Sequence, residues 1–176
     1  MIRSVTLFAH LTGMLTLFAG LGLELVSLAS LERVAGRDDA APWIRVLRAL
    51  PRVYGIAFGV ILLSGMPLAA RVGVFGLAWV RVSFGTMVLM AIAGGPLTRS
   101  RMRAIARDES SAAFRRHTAD PLLRASIRIR VALGLAVVYM MIAKTGISGS
   151  LLAIGVALLV GLSAAGLKSG MVREAA

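Results

Sequence analysis

The chain contains no cysteine, which removes disulfides, thiolate metal sites, iron–sulfur clusters and cysteine nucleophiles at once. Histidine is nearly as scarce. The only two, His10 and His117, are too few for the usual nitrogen-rich zinc or copper site, so no metal centre is expected. No glycine motif of the phosphate-cradling kind is present. Aromatic residues make up only 6%, and the basic stretches contain no recognisable nucleic-acid module, so the formal charge of +12 does not point to nucleic acid.

What the chain has in abundance is apolar surface. Hydrophobic residues make up 58%, charged residues only 16%, and the mean hydropathy is +0.85. That balance belongs to an integral membrane protein. With 176 residues, the chain forms one membrane domain, 1–176, with no room for a sizeable soluble one.

A helix crossing about 30 Å of hydrocarbon needs roughly 20 mostly apolar residues. Charges punctuate the sequence into five such segments, at 5–28, 53–71, 76–97, 128–144 and 148–168. The expected fold is therefore all-α, a polytopic transmembrane bundle of five spans. The first apolar run exceeds the roughly 7–15 residues of a signal-peptide core and is read as a retained helix. Spans four and five are divided by the turn-forming run Lys144-Thr145-Gly146 and Ser148-Gly149-Ser150. Small-residue spacing at Gly55 and Gly59 predicts a close helix contact on span two, and Gly155, Gly161 and Ala165 predict the same for span five.

Lys and Arg collect on the cytoplasmic side of short loops. Five arginines lie in 29–52, nine in 98–130, and Lys168 and Arg173 in the tail. Only Arg3, Arg71 and Lys144 fall on the other side, and Arg81 lies within a span. Sixteen against three predicts an outside N-terminus, a cytoplasmic C-terminus, and cytoplasmic loops at 29–52 and 98–127. The arginines are thereby explained through topology and anionic lipid headgroups. Within 98–130, Ala104, Ala112 and Ala113 predict helical extensions of the adjoining spans, broken near Asp120-Pro121.

Polar groups inside the membrane are costly and call for a partner or a task. His10 and Glu24 lie fourteen residues apart on one helix, about 21 Å along its axis, so they share a face without touching. The predicted topology puts Glu24 at the inner leaflet, where an arginine can pair with it. It puts His10, Arg81 and Lys144 at similar depth in the outer leaflet, with Tyr139 about one and a half turns below Lys144. Facing one another, these four would form a cationic pocket for a carboxylate or an anionic lipid headgroup. Arg81, whose guanidinium engages two oxygens at once, is expected to contribute more than Lys144.

Those residues also carry a resemblance. His10-x-x-Gly13 followed by Phe18-Ala19-Gly20-Leu21 resembles the first helix of the bacterial membrane protoporphyrinogen oxidases of the HemJ type and of the copper-resistance CopD-like proteins. Trp79-Val80-Arg81-Val82-Ser83 resembles the start of a later helix, where the oxidase has Trp, then His two residues on and Lys four on. Lys144 ends a span as a lysine does in the oxidase's last helix. The likeness covers about residues 5–145, and it extends to small bacterial membrane proteins of the same group that match the five-span length. It implies a four-helix core plus a C-terminal helix in the bacterial inner membrane, haem b near His10, and electron transfer toward quinones. Arg81 and Ser83 stand where the oxidase has His and Lys, and Leu17 where it has a tryptophan. Arginine cannot replace imidazole as an iron ligand. A single-histidine haem or a non-redox descendant of the fold follows from these departures.

Three classes of function are thus expected. First comes a non-enzymatic binding or partner subunit, associated with the bilayer, an anionic lipid or carboxylate, or another membrane protein. A haem b-dependent oxidoreductase using His10 is the second, and a transporter or ion-handling subunit using His10 and Glu24 the third. No catalytic residue is assigned.

Overall fold

The computed structural model describes residues 2–34, 37–91 and 121–173. They form five helices: α1 (Ile2–Arg33), α2 (Arg37–Val72), α3 (Ala78–Ala91), α4 (Pro121–Ala143) and α5 (Ile147–Arg173). No strand occurs among the described residues. Three of the helices contain stretches long and apolar enough to cross a membrane, Arg3–Leu31, Asp39–Val72 and Arg124–Ala143. Ala78–Ala91 and Ile147–Ser163 are apolar but shorter. The chain is a helical membrane protein.

Helix α1 is apolar on all sides, as a helix exposed to lipid must be. Leu17, Leu21, Leu28 and Leu31 bury one stripe of it, while Val5, Phe8, Leu15 and Val26 remain exposed on the other faces. The partner of that stripe is α2. There, Leu47, Leu50, Tyr54, Ala57 and Ile61 recur at helical spacing and are buried in the same cluster.

The segment 29–52, expected as a loop, is helical through Arg33 and again from Arg37. The reason is amphipathic spacing that the arginines disguise. Arg45, Arg48 and Arg52 lie one turn apart on an exposed face, and Ala40, Leu47 and Leu50 are buried on the opposite one. At 1.5 Å per residue α2 is about 54 Å long, well beyond about 30 Å of hydrocarbon.

The expected spans at 128–144 and 148–168 fall in α4 and α5, and α4 begins seven residues earlier, with Pro121 in its first turn, where proline costs nothing. The third span was expected at 76–97; α3 covers Ala78–Ala91 of it. Gly76 and Leu77 lie in the turn before it, and residues 92–120, which hold the rest of the span and the loop, lie outside the described residues. Met90 of α3 packs with Leu133 and Ala136 of α4 and Ala157 of α5, and Met87 joins the main cluster.

Close helix approach does not occur where Gly55 and Gly59 predicted it. Among the described residues, a side chain at either glycine would meet nothing within 4 Å, because Tyr54, Ala57 and Ile61 occupy the α2 face turned to α1. The approach runs through other glycines. A Cβ at Gly20 would lie 2.9 Å from the Tyr54 ring, and one at Gly161 would lie 2.8 Å from the Ile129 backbone. Gly161 thus sets the α4–α5 distance, as expected for span five. A Cβ at Gly155 meets nothing within 4 Å, and the side chain of Ala165 lies outside the described residues.

Candidate functional site

Two polar clusters interrupt the apolar interior. The first surrounds Glu24, whose carboxylate is wholly buried. Arg130 of α4 donates from Nη2 to Oε1 at 2.6 Å, and the Tyr54 hydroxyl of α2 donates to Oε2 at 2.5 Å. The Arg130 guanidinium also lies 5.7 Å from the centroid of the Tyr54 ring, within cation–π range. The cluster therefore ties three helices together at one point. Each charge has a partner of opposite sign, and Glu24 spends both oxygens on protein donors.

The second cluster begins at His10. Its Nδ1 lies 3.1 Å from the Ile61 carbonyl oxygen and 3.3 Å from Ser64 Oγ. A carbonyl only accepts, so Nδ1 carries the proton and Nε2 keeps its lone pair. Ser64 donates its own proton back to the Val60 carbonyl. Gly65 makes this approach feasible, because a Cβ there would stand 3.1 Å from the imidazole Cε1.

His10 lines a cavity of about 440 Å³, walled mainly by the last turns of α2, the 73–77 connection and α3. The walls are apolar and include three methionines, Met66, Met87 and Met141. Four polar side chains interrupt them: His10, Trp79, Ser83 and Lys144. Trp79 Nε1 and Ser83 Oγ have almost no accessible surface, lying in the packed wall behind the open space, and among the described residues they have no hydrogen-bond partner. They sit four residues apart on α3, hence on one face a turn apart. Unpaired polar atoms in an apolar cavity cost free energy until something accepts from them.

Lys144 owes its place to an unusual helix end. Helix α2 closes with Gly73 at φ 69°, its N–H bonded to Ala70 and the next N–H to Ala69, the glycine cap expected of a left-handed turn. Helix α4 closes with the simpler single-bond left-handed cap, Lys144 N–H donating to the Met140 carbonyl, and here the left-handed residue is the lysine, at φ 48°. A side chain in that conformation costs roughly 1–2 kcal/mol. Glycine would occupy the position more cheaply.

The residues expected to share a pocket are thus only partly brought together. His10 and Lys144 line the cavity. Arg81 does not, because its guanidinium turns back along α3 and donates to the Gly76 carbonyl at 2.6 Å. Tyr139 is 55% exposed on α4 and also lies outside the lining. Trp79 and Ser83, which the sequence singled out only through a resemblance, take the places expected of Arg81 and Tyr139. Their i, i+4 spacing on an otherwise apolar helix was the available signal.

Comparison of the chain with protein-family models, with curated proteins and with solved structures finds no match.

Proposed function

We propose that the chain is a non-enzymatic binding or partner subunit of the bacterial inner membrane, with five spans, an outside N-terminus, a cytoplasmic C-terminus, and an outer-leaflet cavity that takes a small amphiphile. The observation that carries this reading is the pairing of an apolar cavity with two buried, unpartnered donors, Trp79 Nε1 and Ser83 Oγ, beside the Lys144 cation. Ligand sites are built in this way, mostly apolar with a few convergent polar groups. Native mass spectrometry of protein released from mild detergent tests it. The parent should carry a small-amphiphile adduct that Ala69→Trp, which fills the cavity, removes; identical spectra would refute binding there. Reporter fusions at Asp39, Asp108 and the C-terminus should all report cytoplasm, and an external C-terminus would overturn the topology.

Haem b at His10 is a second reading with one observation in its favour. Donation of Nδ1–H to a backbone carbonyl leaves Nε2 in the form in which histidine binds metals. His10 would hold the iron through its free ring nitrogen and Lys144 would offer a cation to a propionate, while the cavity's other sulfur and nitrogen side chains are methionines and Trp79. Bound haem would supply one-electron chemistry. Purified protein would then show a Soret band that His10→Ala abolishes and His117→Ala leaves intact. The transporter reading uses His10 and Glu24 along one face, and the Glu24 carboxylate is hydrogen-bonded to Arg130 and Tyr54.

A further inference from the structure

The cavity's polar groups constrain the chemistry of what enters it, granted the proposal above that it binds an amphiphile. Trp79 Nε1 can only donate, and so can the Lys144 ammonium. Ser83 can donate as well. Among the described residues no aspartate or glutamate lines the cavity, so none of them gives the lysine's charge a carboxylate counterpart there. One cation and two unpaired donors together call for an anionic head with several acceptor positions. A carboxylate offers about four lone-pair sites on two oxygens, enough for all three donors.

Size constrains the remainder. At the roughly 30 Å³ that a water molecule occupies in the liquid, a space of about 440 Å³ holds about fifteen groups the size of a methylene. That is the size of most of one acyl chain, whose end can extend through the open mouth. The mouth faces the lipid side: Leu7, Met66, Val72, Phe75 and Phe84 line the cavity and are themselves substantially exposed apolar side chains. An occupant can therefore enter from the bilayer, where a single-chain amphiphile already resides, without crossing water.

The backbone at Lys144 adds an independent argument. The two helix ends at this cavity are capped in the same left-handed conformation, and only one uses glycine. Keeping a lysine at the strained position puts a cationic side chain in the cavity lining at a cost to the fold. Strain of this sort collects where a side chain has a task.

We infer that the occupant is a single-chain fatty acid, its carboxylate held by Lys144 and, once their side chains turn out of the packed wall, by the Trp79 and Ser83 donors, and its chain lying among the methionine and aliphatic walls. The chain has two tryptophans, so Trp43→Phe leaves Trp79 as the sole reporter inside the cavity. Bromine quenches indole only at short range. The full-length Trp43→Phe protein in detergent is titrated with dibromostearate and, in parallel, with its methyl ester, which partitions into the micelle equally well but lacks the charge. The acid should quench saturably, and the ester at least tenfold more weakly. Lys144→Gln should weaken the acid by a similar factor, and Ser83→Ala by a smaller one. Saturable quenching by acid and ester alike would keep the cavity as a binding site and overturn the fatty-acid inference. Linear quenching by both would remove the binding reading itself. Should Trp43→Phe not fold, subtracting the Trp79→Phe signal from that of the parent isolates the same indole.

Discussion

The tie between Glu24 and Arg130 is open to a quantitative test. Glu24 is 0% exposed and Arg130 7%, so neither charge can recover water when its partner is removed. Breaking a buried pair from one side costs about 3–5 kcal/mol, whereas replacing both partners with apolar residues of similar volume is often neutral. Glu24→Leu alone removes the guanidinium's buried carboxylate and also leaves the Tyr54 hydroxyl without its acceptor. It should fall at the upper end of that range. Arg130→Met alone strands the carboxylate, which retains the tyrosine bond, and should cost about 3 kcal/mol. The double variant should recover most of the loss and lie within about 1 kcal/mol of the parent, giving a coupling of several kcal/mol. Unfolding by SDS titration in mixed micelles, followed by helical circular dichroism, measures all four proteins under one set of conditions. Single variants within about 0.5 kcal/mol of the parent, or a double variant equal to the sum of the singles, would show that the pair is hydrated or dispensable.

Tyr54→Phe keeps the ring against Gly20 and removes only the hydroxyl, so a loss of about 1–3 kcal/mol in the same titration is expected. Gly161→Leu should destabilise the protein sharply, since even a Cβ would meet the Ile129 backbone, whereas Gly59→Leu should leave the melting temperature nearly unchanged; the opposite order would mean that α2 and α5 pack differently. Lys144→Gly should hold or raise stability by up to about 1 kcal/mol by relieving the left-handed side chain, less what glycine gains in the unfolded chain, while dibromostearate quenching weakens as in Lys144→Gln. A Lys144→Gly protein less stable than the parent would assign the lysine to the fold instead.

Composition and apolar run length made the helical membrane character legible, because the bilayer leaves a backbone few other ways to satisfy its hydrogen bonds. The break between α4 and α5 was also legible, the end of one and the start of the other each falling within one residue of the expected position, while their outer ends ran five to seven residues further. What failed was information about facing. Gly55 and Gly59 have the spacing of a packing motif, but spacing does not say which neighbour lies across from it, and Tyr54 and Ala57 claimed the interface. Arg45, Arg48 and Arg52 read as loop charges because a window of summed hydropathy averages an amphipathic helix to neutral. Arg81 looked like a pocket residue from its depth, yet a long flexible side chain reaches the nearest free carbonyl, here Gly76, and depth alone does not fix its direction. Glu24 needed an arginine, but its partner lies 106 residues away, one of many arginines in the sequence.

The methionines of the cavity wall bear on how selective such a site can be. A thioether chain is unbranched, turns about three bonds and polarises readily, so Met66, Met87 and Met141 can reshape around contours that a wall of valine or isoleucine would reject. Discrimination then falls on the head of the guest, and tails of differing length or unsaturation are accommodated with little penalty. The same sulfurs are open to oxidation. Conversion of Met66, the exposed one of the three, to its sulfoxide would set a polar group in the apolar mouth and make the site's occupancy sensitive to the oxidants it meets.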